Sequence, residues 1–128
     1  MTVVGPEELE FRDFPGRATS DPFRHAGQGA STVRQVVIEH LATRSPHLHP
    51  KSEEIVYVVA GRGRVWLDGV FHPVGPGSWY RIPAGTPHAT MADRGERMSL
   101  VCFFPHDDFA SNIEELDLLL AADQGGER

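Results

Sequence analysis

The chain has a single cysteine, Cys102, so no internal disulfide can brace it, which fits a reducing compartment. That cysteine lies in Leu100-Val101-Cys102-Phe103-Phe104, an apolar run that reads as a buried structural position and not a reactive one. Long apolar runs are missing as well: none approaches the roughly 20 residues needed to cross a bilayer. Met1 to Glu10 lacks the basic and then apolar layout of a secretory leader, and the expected location is the cytoplasm, with no membrane partner. Basic residues are in deficit, 12 Lys and Arg against 18 Asp and Glu, for a formal net charge of −6. A general grip on a phosphate backbone needs clustered cations, so nucleic acid is not an expected partner. With 128 residues, 40% of them hydrophobic, the chain has material for one core and no second domain.

Helical periodicity is scarce, and short alternating segments take its place. Thr32 to Leu41 and Glu54 to Ala60 are β-branched and partly alternating, as half-buried strands are. Arg64 to Leu67 and Val70 to His72 flank Asp68-Gly69, a dipeptide suited to a two-residue type I′ hairpin turn. Trp79 to Ile82, Ala89 to Ala92 and Arg97 to Phe104 complete a set of short, regularly spaced strands, which implies an all-β barrel or sandwich. Residues 1–30 are broken by Gly5-Pro6, Phe14-Pro15-Gly16 and Asp21-Pro22 and read as an arm lying along the barrel or across a partner subunit. In residues 109–123 the period changes: Ser111-Asn112-Ile113-Glu114 has the form of a capping box, and Ile113, Leu116 and Leu120 recur at helical spacing. A short C-terminal helix is predicted there, leaving residues 31–108 for the barrel.

The chemistry concentrates in Pro46-His47-Leu48-His49-Pro50-Lys51-Ser52-Glu53-Glu54 and, further on, Gly85-Thr86-Pro87-His88. Residues two apart on a strand share a face, so His47 and His49 can aim at one ion while Leu48 points away. Three imidazoles and a carboxylate form a mixed nitrogen and oxygen set suited to a divalent transition metal, with octahedral positions left open. Gly61-Arg62-Gly63-Arg64 invites comparison with a phosphate loop, but no helix N-terminus follows it and the lysine with Ser or Thr is absent.

The wider spacing resembles the cupin family, whose first motif is written G-x5-H-x-H-x3/4-E-x6-G and whose second is written G-x5-P-x-G-x2-H-x3-N. Here His47, His49, the glutamate and Gly61 follow the first motif, and Gly77 to His88 follow the second as far as its histidine. Leu41 stands where the first glycine is expected and Ala92 where the final asparagine is expected; neither is a ligand position. The family spacing admits Glu53 or Glu54, and the six-residue step to Gly61 selects Glu54. The resemblance implies a double-stranded β-helix of the jelly-roll class holding one zinc, iron, nickel or manganese ion on His47, His49, Glu54 and His88. It also implies a small-molecule substrate. Either the ion is a Lewis acid for isomerisation, cyclisation or lyase chemistry, or it activates dioxygen; the different-class reading is a non-catalytic ligand-binding or sensing protein.

Beyond the ligands, one of Tyr80 and Arg81 faces the pocket, and an inward Arg81 would offer a fork for a carboxylate or phosphate. His40 is a further candidate substrate contact, because it ends the strand that enters the first motif. His25, His72 and His106 read as surface or structural histidines. The arm's Phe11, Phe14 and Phe23, together with Tyr57 and Val59 on the face opposite Glu54, point to a homodimer.

Overall fold

A computed structural model describes residues 2–26 and 29–122. After a 3-10 turn at Pro6–Glu8, the strands are β1 (Arg12–Phe14), β2 (Arg17–Ser20), β3 (Thr32–Glu39), β4 (Thr43–Arg44), β5 (His47–Leu48), β6 (Glu54–Ala60) and β7 (Gly63–Leu67). They continue as β8 (Val70–Val74), β9 (Trp79–Ile82), β10 (His88–Ala92), β11 (Arg97–Phe104), β12 (Glu114–Glu115) and β13 (Leu120–Ala121). A six-stranded sheet in the order β1-β2-β3-β11-β6-β9 faces a five-stranded sheet in the order β12-β5-β10-β7-β8, with β13-β4 as a separate pair. This is the all-β barrel that the strand pattern predicts, with the jelly-roll arrangement that the family resemblance implies. No helix among the described residues is long and apolar enough to cross a membrane.

Period-two patterning becomes core through register. Leu100 pairs with Val36 on one side and Val58 on the other, and Cys102 pairs with Val56. These side chains, with Ile38, Ile82, Met98 and Phe104, fill the space inside the barrel. Strand β10 is buried throughout because it is covered on both sides; Ala89 and Met91 pack against Leu120 of the C-terminal segment. The Asp68-Gly69 turn has φ of +44° and +101°, as a type I′ hairpin requires. Cys102 is buried, in line with its apolar surroundings in sequence.

The C-terminal helix is not formed: within 109–122 the chain makes turns and the two short strands β12 and β13, and Asp123 lies outside the described residues. A tertiary contact overrides the local capping signal. Asn112 is buried, its side chain accepts from the Lys51 backbone N–H and donates to Ser52 Oγ, and Glu114 and Glu115 then pair with Leu48 and His47. The N-terminal arm lies along the barrel as a hairpin, turning at Pro15-Gly16 and joining the six-stranded sheet through β2 and β3.

Gly61 shows why the first motif ends in glycine. Its φ is +83°, and a Cβ there would stand 2.2 Å from the Arg97 carbonyl oxygen. Gly85 also has positive φ, +78°, but open space around it. Gly61→Ala should therefore cost more than the roughly 1–3 kcal/mol that left-handed backbone strain costs alone, and Gly85→Ala should stay within that range. Urea unfolding of both variants checks this; equal losses would mean that the backbone contact at Gly61 has no energetic weight.

Candidate metal centre

Two sheets supply the donors. His47 on β5 is the Cα partner of His88 at the start of β10, so these imidazoles are cross-strand neighbours, with ring centroids 4.4 Å apart. His49 follows β5 directly, and Glu54 opens β6 in the opposite sheet. One ligand atom from each of His47, His49, Glu54 and His88 lies within 4.8 Å of the others, and all four residues are buried. The rival Glu53 points outward and pairs with the exposed Arg81, Nε to Oε1 at 3.2 Å.

Turns between the strands orient the rings. Gly85 N–H donates to the His49 carbonyl at 2.8 Å, tying the second motif to the first. His88 Nδ1 donates to the Thr86 carbonyl at 2.9 Å, and His49 Nδ1 to the Asn112 carbonyl at 2.7 Å. Because a carbonyl only accepts, both rings must carry their proton on Nδ1, which leaves the Nε2 lone pair for a metal. Phe104 packs on the His49 ring at 4.6 Å between centroids.

The polar atoms that remain test whether a metal fits. Glu54 Oε1 lies 3.1 Å from Nε2 of both His49 and His88. Neither contact has hydrogen-bond geometry, so these three atoms and His47 Nδ1 are buried without partners. Buried polar groups in native proteins are almost always satisfied, and unpartnered atoms on four residues whose ligand atoms lie within 4.8 Å of one another fit a divalent ion. The charge state of His47 agrees. Burial, reinforced by His88 and Arg17, holds His47 well below its ordinary value, so it is a neutral imidazole.

An internal cavity of about 40 Å³ adjoins the cluster, lined by Arg17, Arg44, Tyr80, Thr90 and Cys102 as well as by apolar side chains and ligands. Register resolves the choice at β9. Tyr80 pairs with Val56 and faces inward, its hydroxyl 2.6 Å from Thr90 Oγ1, whereas Arg81 pairs with Ile55 and faces out. His40 does not line this cavity; its Nδ1 donates to the Ala92 carbonyl at 3.1 Å, and it borders a surface cleft with Val37 and Leu41. The cavity's cations escaped sequence reasoning. Arg44 donates to the Thr90 carbonyl, and burial pulls its guanidinium down to about 10, so it remains charged at neutral pH. Arg17 reaches Glu115 Oε2 at 3.2 Å. Asn112, which holds His49 through its carbonyl and the following loop through its side chain, was hidden behind the capping-box pattern.

Glu54→Gln should weaken metal retention by removing the anionic oxygen, while Glu53→Gln should be nearly neutral. Asn112→Ala should cost roughly tenfold or more, the usual scale for groups that orient a ligand. Competition against a chelator measures all three. Comparable losses at Glu53 and Glu54 would refute the register of β6.

The model of the cupin domain matches residues 34–104. Over 44 residues the chain is 50% identical to Protein SchB of Streptomyces halstedii, a match that spans 34% of this chain and only 32% of SchB. Among solved structures, the nucleoside dehydratase Pac13 of Streptomyces superposes with a TM-score of 0.72 at 18% identity, over 91% of each chain. KdgF from Halomonas sp. superposes with a TM-score of 0.69 at 22% identity, over 86% of this chain and 98% of KdgF. These structural likenesses speak for the shared barrel. The family match over more than half of the chain, together with both motifs converging on one buried donor set, makes this protein a member of the cupin family.

Proposed function

We infer that the chain is a metal-dependent enzyme acting on a small molecule, with one divalent transition-metal ion serving as Lewis acid in an isomerisation, cyclisation or lyase reaction. The observation that carries this reading is the buried set His47, His49, Glu54 and His88, whose donor atoms have no other partner. When bound there, such an ion polarises a substrate oxygen or acidifies a water.

The chain's own groups suit that task. His49 and His88 are held in the tautomer that presents Nε2. Arg17 and Arg44 place fixed positive charge beside the cluster, where it would stabilise an oxygen that gains negative charge. Burial raises the Tyr80 hydroxyl well above its ordinary range, so it stays protonated and can donate. Val36, Ile38 and Leu100 give the cavity an apolar wall beside these polar groups. Fold-level analogy supports the branch: Pac13 is a nucleoside dehydratase, and loss of water is a lyase step with no net oxidation. Turnover should therefore persist without dioxygen when the site is loaded with zinc. Consumption of dioxygen in step with product, restored by iron and not by zinc, would replace this reading with a dioxygenase, and tight ligand binding without turnover would make the chain a sensor.

We also propose that the chain acts as a homodimer. Register lays Val101 beside Tyr57 and Tyr57 beside Trp79, while Phe103 lies between Val33 and Ile55, forming one apolar stripe on the outer face of the six-stranded sheet. Trp79 is 69% exposed and packs against Tyr57, with ring centroids 4.5 Å apart and the planes tilted by 47°. The Glu53–Arg81 ion pair offers both charge signs at its rim, as a self-complementary twofold contact requires. Sedimentation should give a dimer at micromolar concentration and a monomer for Trp79→Glu; a monomeric wild type would rule the dimer out.

A further inference from the structure

The cavity beside the donor cluster measures about 40 Å³, room for a few waters and far below the roughly 300 Å³ or more of a small-molecule site, so a drug-sized substrate does not fit the site as it stands. Something must move. A cleft of about 610 Å³ lies nearby, within the range of small-molecule sites, and Phe14, Arg34 and Phe109 are among the residues lining it. The cleft reaches the cluster at two places: one of its residues neighbours a donor ring, and another neighbours a residue of the cavity wall. Phe109 lies 6.0 Å from the His49 ring, and Phe14 is the hairpin partner of Arg17, which lines the cavity.

We propose that the β1–β2 hairpin is a movable cover over the metal cluster, and that the pocket it closes takes a flat, mainly apolar molecule led by an anionic oxygen group. This rests on the proposed function and names its substrate class.

The hairpin is built for such motion. Strand β1 pairs with β2 alone, and β2 is hinged to β3 through three register pairs, Ala18 with Val37, Thr19 with Val36 and Ser20 with Gln35, and through hydrogen bonds from the Arg34 guanidinium to Thr19 Oγ1. Across the mouth it is fastened to the C-terminal segment by one aromatic contact, Phe14 to Phe109 at 6.2 Å, and one ion pair, Arg17 to Glu115. Its turn closes against Arg44: a Cβ at Gly16 would stand 2.7 Å from Arg44 Nε, an atom that is itself buried without a partner. Opening would join cleft and cavity into one space.

The ligand class follows from the walls. Phe14 and Phe109 form an aromatic floor, with the Arg34 guanidinium 4.4 Å above the Phe109 ring, and Val36, Ile38 and Leu100 line the inner end. Such walls favour a flat apolar body. Arg17 and Arg44 lie at the inner end, where Glu54 is the one lining carboxylate, while in the cleft Glu10, Asp13, Asp21, Asp107 and Asp108 outnumber Arg12, Arg24 and Arg34, so an anionic group is favoured at the inner end over the cleft.

Cys102 provides a reporter independent of metal and activity. It is the chain's one cysteine, it is buried, and it lines the cavity. Alkylation of metal-free full-length protein by iodoacetamide, followed by mass spectrometry, reads how often the cover opens. Glu115→Gln should speed labelling about fivefold and Phe14→Ala further. Val65→Ala, a core change in β7 away from the cover, should lower the urea midpoint more than Glu115→Gln does and yet speed labelling less. Naphthoate should protect Cys102 at roughly a tenth of the concentration that naphthylmethanol requires. Labelling rates that simply follow global stability would overturn the cover, and equal protection by the two aromatics would overturn the anionic ligand class. Because the assay contains no metal, either failure is separate from a failure of metal binding in the chelator competition.

Discussion

Four polar donors held together in a buried interior, two from one sheet, one from the loop that follows β5 and one from the other sheet, are the constraint around which the rest of the protein is arranged. Without a shared cation, Glu54 and three imidazoles at that depth would be a cluster of unsatisfied groups, each costing on the order of 1–3 kcal/mol. With a cation they become a clamp across the barrel, and metal affinity becomes folding free energy, because the unfolded chain has no such site. The two motif turns serve that clamp: Gly85 ties its turn to His49, and Thr86 and Asn112 fix the proton on the far nitrogen of two ligands.

Much of this was legible in sequence because period and burial coincide. Strands β3, β6 and β11 alternate in the chain as they alternate in the barrel, Asp68-Gly69 announces its turn, and the histidine spacing survives folding intact. What escaped depends on which strand lies beside which. Alternation alone could not tell whether Tyr80 or Arg81 faces inward; pairing of Tyr80 with Val56 and of Arg81 with Ile55 decides it. Arg17 and Arg44 are brought to the cluster from a short hairpin and a two-residue strand, elements too brief to carry a periodic signal.

The C-terminal segment shows a local signal losing to a tertiary one. Ser111-Asn112-Ile113-Glu114 satisfies the capping pattern, but a cap is worth about 1 kcal/mol. Against it stand two side-chain hydrogen bonds from buried Asn112, its carbonyl bond to His49, and the pairing of Glu114 and Glu115 with β5. The same residues could not act on His49 from a helix, because helical hydrogen bonding would claim the Asn112 carbonyl.

That arrangement links order in the tail to order at the metal. Phe109 packs beside His49, Asn112 orients it, and Glu115 pairs both with His47 along the strand and with Arg17 of the hairpin. One short stretch of chain thus holds the metal ligands from behind and fastens the hairpin that lies over them. The Arg17–Glu115 ion pair and the hydrogen bond from His49 to the Asn112 carbonyl are made three residues apart, so the proposed opening of the hairpin requires the loss of the first and not of the second. Separation of these contacts along an extended segment permits this. A helix would have locked them into one rigid body, whereas the extended tail keeps its contact with the hairpin at Glu115 separate from its contact with the donor set at Asn112.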